Sequence, residues 1–298
     1  MKEIAILRCG KLPSFVTWEV DLDELFDEDK LLVQGFQAQG IHARPVVWND
    51  PAVDWNRFDV VLIRSTWDYL DEQERFLEVL SQIEASSCRL FNPLSAVRWN
   101  IDKNYLFDLE KWGISVIPTI LASEANAGTV QRLFGDRLGQ TVILKPTIGL
   151  GASHSQRVPL DELEAALMEL RASQPQREYL VQPFVETILS EGEWSFIYFN
   201  HQLSHVLLKK PAANDYRVQG IYGGTVQPAA PAPDDLLRAE SVMATLPFDL
   251  LYARLDFLRV NGTLSVIEIE LIEPIFSFGL VPESVGQLVN ATRLKFET

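Results

Sequence analysis

The sequence predicts an α/β fold over its first third and an α+β fold with much antiparallel sheet over the rest. Two observations lead there. Up to about residue 90, short apolar strands such as Val60-Val61-Leu62-Ile63 alternate with helical stretches, the pattern of a parallel sheet covered on both faces. From Val142 onward strands dominate, and the run ends in a strong hairpin signal, Asn261-Gly262 between two apolar segments.

In order, strands are expected over residues 4–7, 44–48 and 60–64, with helices over about 29–39 and 72–85; Gly40 stops the first helix. Ligand sites in such a sheet lie at the carboxyl ends of strands, where Arg64-Ser65-Thr66-Trp67-Asp68-Tyr69 stands. A helix over 102–112 ends at Gly113, an extended Ile117-Pro118-Thr119-Ile120 follows, and a second helix begins near Ser123, which reads as a domain junction. Strands are then expected over 142–145, 179–184, 194–199 and 203–209. Residues 211–233, rich in Pro, Ala and Gly, form a long irregular connection of the kind that is functional or disordered; Asp215, Arg217, Gly223 and Gly224 favour function.

The hairpin carries the chemistry, and its register decides which side chains share a face. A two-residue loop would pair Val260 with Thr263, Asp256 with Ile267 and Arg254 with Ile269, mixing polar and apolar residues. A three-residue loop over 260–262, with Gly262 left-handed, pairs Arg254 with Glu268 and Asp256 with Val266. Leu255, Phe257, Ile267, Ile269 and Leu271 then share one side and Arg254, Asp256, Glu268 and Glu270 the other, so this second register is predicted. Three carboxylates gathered on one face raise one another's pKa unless a cation neutralises them, and oxygen-only ligands suit Mg²⁺ or Mn²⁺. The same alternation is equally ordinary on a solvated face of a half-exposed sheet.

Composition narrows the class. A chain of 298 residues has room for two or three compact units. With 41 Asp and Glu against 26 Lys and Arg, its formal net charge of −15 argues against a non-specific nucleic-acid or anionic-membrane surface. Two cysteines, Cys9 and Cys88, and four scattered histidines make neither a disulfide framework nor a zinc pattern. Met1 leads directly into a strand, and no apolar run approaches the ~18 residues of a membrane span, so a soluble cytoplasmic protein is expected.

Lys145-Pro146-Thr147-Ile148-Gly149-Leu150-Gly151-Ala152-Ser153 places a lysine at a strand end before a loop whose glycines let backbone N–H groups approach an anion. It is not a Walker loop, because the lysine precedes the glycines, nor a dinucleotide fingerprint, because His154 stands where a third glycine belongs. Alone, it is equally a strand followed by a turn. In combination with Lys103 ahead of it and the acidic hairpin far downstream, the order resembles the ATP-grasp superfamily, whose members hold ATP between two α+β subdomains and join a carboxylate to a nucleophile through an acyl phosphate. The resemblance spans nearly the whole chain. Ile63-Arg64-Ser65-Thr66-Trp67-Asp68-Tyr69, Asn92-Pro93, Trp99-Asn100, Glu191-Gly192-Glu193, Asp215-Tyr216-Arg217, Tyr222-Gly223-Gly224 and Glu270-Leu271-Ile272-Glu273-Pro274 are similar to the prokaryotic glutathione-synthetase-like group, and within it to the O-ureido-serine cyclo-ligases of D-cycloserine biosynthesis.

The resemblance implies an N-terminal parallel-sheet (pre-ATP-grasp) substrate domain over 1–100, a central subdomain with a glycine-rich lid over 101–185, and a C-terminal subdomain with the metal site over 186–298. It implies that Lys103 and Lys145 contact the ATP phosphates beneath a mobile lid of Gly149, Gly151 and Ser153. Gln182, Phe184 and Val185 would meet adenine, with the Gln182 amide oxygen where many relatives carry a glutamate; Glu193, or failing it Glu191, would hold the ribose. Asp256, Glu268 and Glu270 match the ligands of Mg²⁺ or Mn²⁺, two ions being expected; many relatives have asparagine in place of Glu270, and the second ion or Arg254 would absorb its extra charge. Lys209, or Lys210, and Arg217 would surround the transferring phosphate and the oxyanion, the other reading of Arg217 being a salt bridge to Asp215. Arg64 and Asp68 would take the carboxylate and ammonium of an amino-acid-like substrate, joined by Thr66, Tyr69 and Glu273, with Trp67 as a wall; Pro274 allows that Glu273 simply ends the strand.

The implied function is an ATP-dependent carboxylate-amine ligase or cyclo-ligase on a small amino-acid-like substrate; a homodimer is compatible with it. The alternative is a nucleotide-responsive regulatory protein with a degenerate site, suggested by Gln182 and Glu270. A Rossmann-type redox enzyme ranks last, since Arg8-Cys9-Gly10-Lys11 stands where the glycine fingerprint belongs.

Overall fold

The computed structural model describes residues 3–14, 16, 25–135 and 140–297, which form three sheets. The first is parallel, in order β2-β1-β3-β4, from Glu3–Arg8 (β1), His42–Val47 (β2), Val60–Ser65 (β3) and Arg89–Phe91 (β4). Helices Asp27–Ala38 (α1) and Gln73–Ala85 (α2) cover it; α1 opens on Asp27, Glu28 and Asp29, which favour its positive end, and buries Leu32 and Phe36 one turn apart.

An unexpected helix, Leu94–Asn100 (α3), precedes the one expected over 102–112, which begins only at Tyr105 (Tyr105–Lys111, α4). Between them the Asp102 carboxylate accepts from the Asn104 amide and the Lys103 amide donates to Thr147 O, so neither N–H is free for a helix ladder. The helix expected near Ser123 begins at Ala127 instead, capped by the Asn126 side chain (Ala127–Phe134, α5). The middle sheet runs β5-β8-β6-β7, from Ile120–Leu121 (β5), Thr141–Pro146 (β6), Gln156–Pro159 (β7) and Tyr179–Pro183 (β8), with Leu163–Ser173 (α6) packed on it.

After the short helix Thr187–Ser190 (α7), the last sheet is antiparallel, in order β11-β10-β9-β12-β13: Glu193–Phe199 (β9), Gln202–Lys210 (β10), Thr225–Pro228 (β11), Tyr252–Val260 (β12) and Thr263–Glu270 (β13). The connection expected to be irregular over 211–233 therefore contains a strand, and Pro233 opens a helix, Pro233–Thr245 (α8). Helix Glu283–Glu297 (α9) returns to pack against α1. Among the described residues no helix is long and apolar enough to cross a membrane.

The predicted hairpin register is overturned. Val260 pairs with Thr263 across a two-residue turn, with Asn261 and Gly262 both at positive φ, as a primed turn requires. Segregation of the faces is rescued by a bulge: Phe257 pairs with Val266 but Asp256 with Glu268, leaving Ile267 extra. Beyond it Arg254 faces Glu270, so Arg254, Asp256, Glu268 and Glu270 do share a face. Ile267, expected beside Leu255 and Phe257, packs instead with Leu258 and Val260, and its carbonyl accepts from Lys145 Nζ at 3.2 Å.

As an edge strand, β13 would present unpaired backbone. Its open edge is filled by side chains and by residues 115–117. Tyr105 Oη donates to Ile269 O and accepts from its amide; Asn100 takes Ile269 O and the Leu271 amide; Ile117 N donates to Val266 O. Asn92 bridges to the start of β12, donating to Leu271 O and Tyr252 O and accepting from the Leu251 and Tyr252 amides. The Asn92-Pro93 and Trp99-Asn100 passages are thus clasps on the acidic strand.

One glycine needs its missing side chain. Gly192, just before β9, has φ +111, and a Cβ there would lie 2.4 Å from Lys209 O. Gly192→Ala is expected to cost about 2 kcal/mol or more and to displace Lys209. Thermal melting checks it; an unchanged melting temperature contradicts the requirement.

Candidate active site

The sheets meet around a cleft of ≈370 Å³, within the range of small-ligand sites. Lys103, Lys145, Gly149, Gly151, Ser153, Gln182, Phe184, Val185, Glu193, Lys209, Arg217, Asp256, Glu268, Glu270 and Glu273 all line it.

At one end stand two lysines. Lys145 closes β6 and is 8% exposed. Burial pushes its ammonium down to about 8, against the pull of Glu268 and helped by Lys103. Lys103, in the turn between α3 and α4, donates to Gly149 O at 2.7 Å and pairs with Glu268 at 3.2 Å. Gly151, Ala152 and His154 are all left-handed, so the loop is tightly wound beside these cations.

In the middle, β12 and β13 interleave charges. Arg254 takes both oxygens of Asp256, reaches Glu270, and donates to Ile275 O. Lys209 lies 3.0 Å from Glu193 and 3.3 Å from Asp256, which also accepts from Ser195 Oγ. Burial works against the Asp256 charge, but Arg254 and Lys209 hold its carboxyl down at about 2. Glu270 goes the other way: burial, with Glu268 and Asp256 nearby, outweighs Arg254 and lifts it to about 7. Burial and Glu270 raise Glu273 to about 8.

The expected three-carboxylate cage is therefore present as ion pairs. Among the described residues no group of three His, Cys, Asp or Glu side chains stands in metal-holding geometry. Asp256 is filled by Arg254, whereas Glu268 and Glu270 each use one oxygen, on Lys103 and Arg254, and keep the other. The free oxygens of Glu268, held down against its burial by Lys103 and Lys145, and of the lifted Glu270 make an oxygen-only pair that fits a hard divalent cation; Asp256 would join only with Arg254 displaced.

At the far end Ile117, Ile143, Phe184, Val185, Ile188 and Leu258 make an apolar slot. Gln182 stands at its edge, its Nε2 donating to Thr119 Oγ1.

The N-terminal expectations need correction. Arg64, Thr66, Asp68 and Tyr69 are buried and do not line the cleft; Trp67 does. Asp68 is taken by Trp48 Nε1 and the Gly10 amide. Arg64 pairs with Glu28 and lies over the Phe276 ring at 4.1 Å, while Glu28 accepts from the Phe276 and Phe278 amides. Arg64 thus buttresses the chain after β13, while its buried Nε and Nη1 have no partner among the described residues. Tyr69 reaches the cleft only through Glu273, to which it donates at 2.9 Å. Arg217 forks onto Asp215 and stacks over Tyr222 at 3.5 Å, so in this structure its guanidinium is held by its own loop. Arg254 is the residue sequence reasoning undervalued: its position on the acidic face was readable, its central place among the carboxylates was not.

A family model described as D-cycloserine synthetase DcsG, N-terminal domain, matches residues 4–92. The cycloserine biosynthesis protein DcsG of Streptomyces lavendulae is 30% identical over 273 residues, 88% of this chain and 91% of that protein. The crystal structure of D-cycloserine synthetase DcsG superposes with a TM-score of 0.82 at 26% identity, covering 99% of both chains. D-alanine–D-alanine ligase from Bacillus anthracis gives a TM-score of 0.72 at 15% identity over 100% of this chain and 99% of that one, a likeness of fold. On identity and coverage together, the chain belongs to the DcsG family of ATP-grasp ligases.

Proposed function

We propose that this ligase activates the carboxylate of a small amino-acid-like substrate as an acyl phosphate at the expense of ATP and then joins it to a nitrogen, in the same molecule for an O-ureido-serine-like substrate. The observation that carries this reading is one cleft holding two lysines, Lys145 buried and Lys103 beside it, a buried arginine on a carboxylate-rich strand pair, and an apolar slot. Residues 1–100, 101–185 and 186–298 serve as the substrate domain and the two halves of the ATP clasp.

Lys103 and Lys145 bind the phosphates, and the 149–153 loop shields them from water. Gln182, Phe184 and Val185 seat the base and Glu193 the ribose. Arg254 and Lys209 face the charge that develops during phosphoryl transfer and on the tetrahedral oxyanion, a role commonly worth ~3 kcal/mol. Arg217 can add to it only by leaving Asp215. Glu268 and Glu270 would hold Mg²⁺, which neutralises phosphate charge when bound. Glu273, oriented by Tyr69, is placed for the substrate's polar end. A cytoplasmic setting accords with two buried free cysteines.

The test is phosphate release from MgATP over a panel of amino-acid-like carboxylates including O-ureido-serine, with hydroxylamine as trap. A hydroxamate is expected. ATP binding without product across the panel would move weight to the regulatory reading.

Lys145 predicts a pH response. Without nucleotide it loses its proton near pH 8; a phosphate partner raises its pKa, so binding near pH 8 takes up a proton. ATP affinity without divalent ions should be about tenfold weaker at pH 9 than at pH 7. Titration calorimetry in buffers of different ionisation heat should show the uptake, and Lys145→Met should lose it; equal uptake in the variant refutes the assignment.

A further inference from the structure

We infer that Thr119 determines base selectivity by fixing which end of the Gln182 amide faces the cleft. This rests on the nucleotide reading above and adds to it a residue outside the cleft lining. Gln182 is 2% exposed on β8, and Ile143 opposes it on β6. Its Nε2 donates to Thr119 Oγ1 at 2.8 Å, and Thr119 Oγ1 donates to Ile117 O at 2.7 Å. Ile117, 1% exposed, is itself anchored by its amide to Val266 O on β13.

The orientation follows from proton counting. A threonine hydroxyl has one proton, and here it is spent on Ile117 O. Toward Gln182 the hydroxyl offers only a lone pair, so the amide must present its NH₂ group to Thr119. Its Oε1, to which no described group donates, is left for a ligand in the cleft that Gln182 lines. Reversing the amide would require the hydroxyl to turn its proton to Oε1, leaving the buried Ile117 carbonyl unpaired.

An acceptor at the edge of the apolar slot takes a purine with an exocyclic amino group. It rejects a 6-oxo purine, whose O6 would meet another acceptor. A carboxylate at this position would be an acceptor whichever way it turned, whereas a glutamine reads either base unless something locks it. Thr119 supplies the lock.

The experiment is direct titration of the full-length protein with ATP and with ITP for wild type, Thr119→Val, Thr119→Ser and Gln182→Glu, each checked by thermal melting. Valine keeps the shape and removes both hydroxyl functions, so the preference for ATP over ITP should fall by about tenfold or more, mainly through tighter ITP binding. Serine should restore it. Gln182→Glu should make the preference insensitive to Thr119→Val, an outcome loosened packing would not produce. An unchanged preference in a folded Thr119→Val that still binds ATP overturns the lock. Failure of the wild type to bind any nucleotide overturns the nucleotide reading and the inference with it.

Discussion

Glu268→Gln is expected to lower ADP formation by about three orders of magnitude with little change in melting temperature. Several kcal/mol of charge stabilisation depend on a bound divalent cation, and each 1.36 kcal/mol is a factor of ~10. Glu268 suits this test better than its neighbour. It is 31% exposed in its side chain, and its partner Lys103 keeps Gly149 O when the carboxylate is gone. Asp256→Asn would instead strip the countercharge from Arg254 and Lys209, and breaking a buried pair costs about 3 kcal/mol or more. Lost activity there would mix chemistry with misfolding. Coupled ADP assay and calorimetry on Glu268→Gln separate the two; undiminished turnover would remove Glu268 from the metal site.

Asn92→Ala should destabilise the fold by about 4 kcal/mol. The side chain is fully buried and serves four backbone groups: two carbonyls and two amides at the junction of β12 with the chain after β13. Each buried group left unpaired costs about 1–3 kcal/mol, reduced by partial relaxation. For a chain of this size the melting temperature should fall by about 6 °C. A loss under 1 kcal/mol in chemical denaturation would mean that water replaces the amide without strain.

How much of this was legible depended on distance along the chain. Segregation of Arg254, Asp256, Glu268 and Glu270 could be read because strand alternation is a local rule. The loop that produces it could not: two solutions, a longer turn or a shorter turn plus a bulge at Ile267, yield the same faces, and the pattern records only the result. Lys145 could be read because it closes a strand, whereas Lys103, in a turn between two helices, was reached only through the resemblance. Arg64 misled, since a strand end in a parallel sheet suggests a ligand, while its actual partners come from α1 and from residues after β13. Nothing local links positions 28, 64 and 276. The clasping roles of Asn92, Asn100 and Tyr105 stayed hidden likewise, since a side chain that completes a strand edge leaves no periodicity.

The hydrophobic cores divide the molecule differently from the chain. Residues of the first sheet share a core with β9, β10 and α9, whereas the middle sheet packs most of its apolar residues with α5 and α6 and sends Leu180 and Ile143 to the cores around β12. The chain enters and leaves that middle body at two points fastened to the hairpin, Ile117 on Val266 O and Thr187 Oγ1 on Arg259 O. Lys145 Nζ on Ile267 O fastens the end of β6 to the same hairpin. At that end Lys103 donates its amide to Thr147 O and its ammonium to Gly149 O. A phosphate that claims the Lys103 ammonium therefore competes with the bond that ties the 149–153 loop to the turn between α3 and α4.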